Sequence, residues 1–178
     1  MPIIQTQRLT LRPFALSDLH STYAYASDAG NIRHMIYLPH KTLADTERFL
    51  QRAAREWRKQ APLAYEFALM LGQAHIGGVS VELDESRQQG ELGWVIHRDY
   101  QSQGYATEAA KAVLGFAFDT LKLPKAVAHC DARNEASYRV MQKIGLLLES
   151  TSGVRRYPGS NEVFQEIECA LMRNEYKP

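Results

Sequence analysis

Several signals are missing from this sequence, and each absence removes a class of function. No run of about 18 apolar residues occurs, so no segment reads as a membrane-spanning helix. Basic and acidic residues nearly cancel, 21 against 20, for a net charge of +1. That balance supplies no field to gather nucleic acid or an anionic membrane. Only two cysteines are present, Cys130 and Cys169, and their separation is not that of a metal site. In a reducing compartment they read as small core residues. The six histidines form no HExxH or other paired-ligand pattern, so no metal is expected. GxxxxGK[ST] is absent, which disfavours a phosphate-loop kinase. Repeats, low-complexity tracts and Pro/Ser-rich linkers are absent too, and 178 residues suit a single domain over 1–178 with a sizeable core. Near the N-terminus, Gln5, Gln7 and Arg8 stand where a signal peptide needs apolar residues, so a cytoplasmic protein is expected.

What is present is a succession of short alternating runs and amphipathic helices. "RLTLRPF" (8–14) alternates as a strand, and Ser17-Asp18 opens a helix to about Ser27. A second helix is expected from about Leu43 to Gln60, with Phe49, Leu50, Ala53 and Trp57 on one side. "YEFALML" (65–71) and "AHIGGVSVEL" (74–83) read as a hairpin around Gly72-Gln73. "GELGWVI" (90–96) is the next strand and "KAVAHC" (125–130) another. "NEASYRVMQKIG" is a helix with Asn134 as N-cap and Gly145 as its stop. "LLLESTSGVRRY" and "EVFQEIECALM" close the chain as a strand pair around Pro158-Gly159. The order β α α β β β α β α β β predicts a mixed α/β fold, one twisted sheet with helices on both faces.

The stretch "HRDYQSQGYATEAAKAVLGFAF" (97–118) carries the most chemistry. Ala106, Ala109, Ala110, Val113, Leu114, Ala117 and Leu121 form one apolar helical stripe. Glu108 falls in the first turn, where the helix dipole favours a negative charge. The polar turn before it, Gln101-Ser102-Gln103-Gly104, carries a glycine and no usual capping residue. Strand, glycine turn and helix start together make an anion site of backbone N–H groups. An ordinary strand-to-helix connection has the same appearance.

Four segments resemble the GNAT superfamily of acyl-CoA N-acyltransferases, in the branch of the ribosomal-protein N-terminal acetyltransferases. They are "TQRLTLRPFALSD" (6–18), "ELGWVI" (91–96), "QSQGYATEA" (101–109) and "NEASYRVMQKIG" (134–145). The likeness spans roughly residues 6 to 172. It implies a mostly antiparallel sheet of about seven strands with a splayed central pair, and acetyl-CoA as co-substrate. Trp94, Val95 and Ile96 would pair with the pantetheine arm, and a main-chain N–H there would polarise the thioester carbonyl. Ser102, Gln103, Gly104, Tyr105, Ala106 and Thr107 would hold the diphosphate, with Asn134 and Ser137 also on the cofactor. The loop departs from relatives that carry Gly, Lys or Arg at Ser102 and Gln103. Arg98 replaces a frequent proline and offers a charge to the phosphates.

The implied reaction needs three services: deprotonation of the amine, a donor for the oxyanion, and a proton for the leaving thiolate. Many relatives supply the last from a tyrosine at the position of Met141, which cannot donate. Ser137 is the expected acid, with Tyr138 its rival and a first-turn capping role its alternative. Glu91, acting through water, and His129, with an ordinary pKa near 6.5, are rival bases; water alone is a third choice. Asn134 serves equally as a plain N-cap. The acceptor walls would come from "NIRHMIYLPHK" (31–41), where Met35, Tyr37 and Leu38 could be core or lid, and from the final hairpin. The expected acceptor is the α-amine of a protein or peptide. The alternatives are a small amine (a polyamine, an amino acid or an antibiotic) and an inactive acyl-CoA-binding module. A basic ribosomal tail would prefer an acidic groove, and the sequence shows no acidic run. A monomer or homodimer is expected, with no nucleic-acid or membrane partner.

Overall fold

Alternation of apolar and polar residues places the strands, and side-chain caps at Thr42 and Asn134 start two of the helices. The computed structural model describes residues 2–36 and 39–177. In chain order the elements are β1 (Ile4–Gln5), β2 (Thr10–Pro13), α1 (Leu19–Ala26), α2 (Leu43–Glu56), β3 (Ala64–Leu71), β4 (Ala74–Leu83) and β5 (Gln89–Ile96). Then follow α3 (Tyr105–Gly115), β6 (Lys125–Asp131), α4 (Glu135–Lys143), β7 (Leu147–Arg156) and β8 (Val163–Met172). They form one eight-stranded sheet in the order β1-β2-β3-β4-β5-β6-β8-β7. The strand beyond the expected seven is β1, whose two residues pair Ile4 with Leu11 and Gln5 with Thr10. A two-residue strand is too short to show a period.

α2 begins with a capping box: Thr42 accepts from the Asp45 N–H, and Asp45 accepts from the Thr42 N–H. It ends at Glu56, short of the expected Gln60. There Trp57 turns into the core and its indole N–H donates to the Glu66 carbonyl at 2.9 Å. α3 is also shorter than its apolar stripe suggests. Phe116–Thr120 form a π-helical turn in which the Leu121 N–H reaches back to the Phe116 carbonyl. The wider turn buries Phe116, Ala117 and Phe118 together.

The main core lies between one sheet face and α3 and α4. Phe67, Leu69, Val79, Val81 and Leu92 meet Ala109, Ala110, Val113, Leu114 and Met141 there. A smaller cluster of Phe14, Leu50, Ala53 and Ala68 seats α2 on the opposite face. Helices therefore cover both faces, as the element order predicts.

All neighbouring strands of the sheet run antiparallel except β5 and β6, which are parallel and pair only at Gln89–Lys125, Gly90–Ala126 and Glu91–Val127. Past that point β5 stays with β4 as far as Gly77–Ile96. β6 stays with β8 as far as Asp131–Glu166. The sheet is thus split in its middle, and one edge of Leu92–Ile96 has no ladder partner among the described residues. Among the described residues no helix is long and apolar enough to cross a membrane.

Candidate active site

The split has a turn at one end. β5 runs through Arg98–Tyr100, a short 3-10 turn, into the loop before α3. Gly104 stands at the helix N-cap with φ +83°, and Ser102 is also left-handed at φ +60°. No side chain caps α3. The hydrogen bonds among the described residues assign no acceptor to the N–H groups of Gln103 to Thr107. These donors converge at a helix start and are available to an anion. Gln101 ties the loop down: its amide donates to the Ile96 carbonyl and to Asn31, both at 3.0 Å. Trp94 and Val95 are half-buried and Ile96 is buried along the unpaired edge.

At the other end of the split, Glu91 is the last residue of β5 to pair with β6. His129 lies two residues beyond the last paired residue of β6, on the same face. Its Nδ1 is 3.1 Å from Glu91 Oε1, and its Nε2 is 3.7 Å from Glu168 Oε1. The two rival bases of the sequence reading are thus one hydrogen-bonded pair across the opening. The Glu91 hydrogen bond is the main cause that holds the His129 pKa above its ordinary value. Burial opposes it, and the charges of Glu91, Glu166 and Glu168 reinforce it.

Register shows what else shares that face. Glu82 lies opposite Glu91 and Ser80 opposite Gly93. Glu66 lies opposite Ser80. His129 faces Glu168, and Asp131 faces Glu166. Opposite residues in a ladder point the same way. Five glutamates from four strands therefore collect on one face, beside α1 and α2. Its floor is small: a Cβ on Gly93 would stand 2.9 Å from Ser80 Oγ. Burial and the nearby Glu82 charge push the Glu66 pKa up to about 7. The acidic groove that the linear sequence lacks is assembled across the sheet. One signal pointed there: Glu66 interrupts the otherwise apolar run of β3.

The remaining expected residues sit at the start of α4. Asn134 is a cap in fact, accepting from the Ser137 N–H at 3.2 Å. The Ser137 hydroxyl and the Tyr138 hydroxyl make no hydrogen bond among the described residues, and no hydrogen bond joins either to the Glu91–His129 pair. Met141 is fully buried. Arg98 pairs with Asp28 at 3.1 Å, so its charge is already engaged. The 31–41 link does meet the final hairpin. Arg155 donates to the His34 carbonyl at 3.2 Å, and the Tyr157 hydroxyl, 3.5 Å from that carbonyl, donates to Asp131 at 2.7 Å. Met35 is half-buried, while Tyr37 and Leu38 lie outside the described residues.

Comparison with known proteins decides the family. Residues 8–147 match the model of the acetyltransferase (GNAT) domain. The chain belongs to the GNAT acetyltransferase family. It is 31% identical over 175 residues to the uncharacterised N-acetyltransferase YnaD of Bacillus subtilis (strain 168), covering 97% of this chain and 98% of that one. Its fold matches that of spermidine N-acetyltransferase from Vibrio cholerae, solved with CoA and spermine. The TM-score is 0.81 at 17% identity, over 94% of this chain and 97% of that one. A second Vibrio cholerae structure, provisionally named a ribosomal-protein-serine acetyltransferase, matches with TM-score 0.74 at 26% identity, over 96% and 97% of the two chains. This GNAT chain is thus an N-acetyltransferase by family, with the split central pair expected from the resemblance.

Proposed function

We propose that the chain moves the acetyl group of acetyl-CoA to a primary amine on a cationic acceptor, by direct attack in a ternary complex. The foremost candidate is the N-terminal α-amine of a basic protein or peptide. The observation that carries this reading is the split between β5 and β6, which joins the uncapped turn before α3 to the acidic face. On this reading the N–H groups of Gln103 to Thr107 hold the cofactor diphosphate, and the free edge of Trp94–Ile96 pairs with its pantetheine amides. Positive charge on the acceptor is drawn to Glu66, Glu82, Glu91 and Glu168.

The chemistry then follows from position. The neutral amine attacks the thioester carbonyl carbon, forming a C–N bond and an oxyanion that a β5 main-chain N–H stabilises. The C–S bond breaks, the thiolate takes a proton from Ser137, and the serine hydroxyl regains one from water. The Glu91–His129 pair takes the amine proton, directly or through one water, and enforced proximity supplies much of the rest.

A polyamine acceptor is the second reading. The acidic face favours it, and a relative of the same fold was solved with spermine. Thiol release from acetyl-CoA against basic N-terminal peptides, spermidine, spermine, amino acids and an aminoglycoside separates the two. Highest kcat/KM with peptides supports the first reading, and with polyamines the second. No release with any amine returns the chain to an acyl-CoA-binding module.

The pair also sets a pH signature. A base works deprotonated, so a raised His129 pKa puts the acid limb of kcat/KM above the ordinary value of about 6.5. Glu91→Gln removes the main cause of the shift, and the limb is expected to move to lower pH. His129→Gln is expected to abolish the limb and cost about tenfold or more. A limb that neither substitution moves transfers the role to Glu66 or to the acceptor's own ionisation.

A further inference from the structure

The turn before α3 is gripped from outside by a residue almost a hundred positions away. Arg8 follows the Thr6 turn, in which the Thr6 hydroxyl and Leu9 bond to each other. From there its Nη1 donates to the Gln103 carbonyl at 3.0 Å. Its Nε reaches Glu108 Oε2 at 2.6 Å, and its backbone N–H reaches Oε1 at 2.7 Å. The Thr6 hydroxyl completes the carboxylate's partners at 2.6 Å. The guanidinium lies over the Tyr105 ring, 4.5 Å from its centroid. Nη2 sits 3.4 Å from where a Cβ on Gly104 would be.

This arrangement resolves a conflict. A carboxylate in the first turn favours the bare helix dipole, but it repels any anion that the same turn must bind. Glu108 is such a carboxylate. Burial alone would raise its pKa, yet the hydrogen bonds from Thr6 and Arg8 outweigh burial and keep it ionised. Its charge therefore persists beside the turn and needs a permanent counter-charge.

We propose that Arg8 is a positioning residue for the cofactor turn, which fixes the Gln103 peptide and neutralises Glu108 so that a diphosphate can dock on the free N–H groups. The proposal rests on the reading of Gln103–Thr107 as the diphosphate site. Neither the strand pattern of β2 nor the loop motif contains this link, because it exists only between distant segments.

The test compares acetyl-CoA with S-acetylpantetheine, which keeps the thioester and pantetheine but lacks the diphosphate. Arg8→Met is expected to raise the acetyl-CoA KM about tenfold, the usual scale for charge-assisted hydrogen bonds. The preference for acetyl-CoA over S-acetylpantetheine should fall by the same factor. Arg8→Lys, which keeps charge but loses the forked geometry, should fall between. Arg8→Met/Glu108→Gln should recover part of the lost affinity, because the uncompensated carboxylate is gone. Equal loss on both thioesters overturns the proposal in favour of a general structural role. An unchanged preference, or a double variant no better than Arg8→Met, overturns it too. Gly104→Val in the same assay judges the turn itself: if that variant keeps its preference, the diphosphate site is wrong, whereas loss there with an idle Arg8→Met rejects only the role of Arg8.

Discussion

Ser137→Ala is expected to lower kcat by about a hundredfold or more, with little change in the acetyl-CoA KM. A proton given to the leaving thiolate counts only in the transition state, and such general acids contribute on the order of 10²–10⁴-fold. The local structure makes this a clean experiment. Asn134 caps α4 through the Ser137 backbone N–H, which alanine retains. The serine hydroxyl makes no hydrogen bond among the described residues, and alanine is the better helix former. A loss of activity therefore cannot be charged to a frayed helix, and thermal unfolding should be essentially unmoved. Tyr138→Phe is the companion measurement, since that ring is half-buried against the main core and carries the neighbouring hydroxyl. If Ser137→Ala costs less than about threefold while Tyr138→Phe costs more, the acid is Tyr138.

Gly104→Val should weaken CoA binding by about a hundredfold, the scale of a few kcal/mol of backbone strain and lost hydrogen bonds. Two causes act together. The φ of +83° is a left-handed conformation that a β-branched residue avoids. Among the described residues the atom nearest an added Cβ is Arg8 Nη2 at 3.4 Å, so the turn itself has room for the side chain. The branched methyls would instead project into the space a phosphate oxygen needs. Asparagine tolerates the left-handed region, so Gly104→Asn relieves the strain while keeping bulk, and its loss should be smaller. Calorimetry on both variants separates strain from obstruction. Unchanged CoA affinity in the valine variant would remove the diphosphate from this turn.

Local rules made much of this molecule readable. Asn134 as a cap, the β3–β4 hairpin around Gly72-Gln73 and the start of α2 at Leu43 are all short-range physics, and each stands where the sequence puts it. The four family segments added the split pair. What escaped depends on distance in the chain. Glu91 and His129 read as rivals because only the parallel pairing of β5 and β6 brings them together. The acidic face escaped because its carboxylates alternate with inward-facing residues on separate strands, so no window of sequence shows them side by side. Arg8 looked like one polar residue in a strand. The π turn after Gly115 followed no local marker, since its residues read as continued helix.

A sheet parted at its centre is a passage with two mouths. If the cofactor fills the mouth beside α3 and the amine enters over the acidic face, the two substrates never compete for one doorway. Each product can leave the way its substrate came, so neither departure has to wait for the other. Only an acetyl group changes sides. Such traffic predicts intersecting rather than parallel lines in two-substrate kinetics. It also leaves the outer rim of the acidic mouth free to diverge among relatives, while the inner wall that holds the cofactor stays fixed.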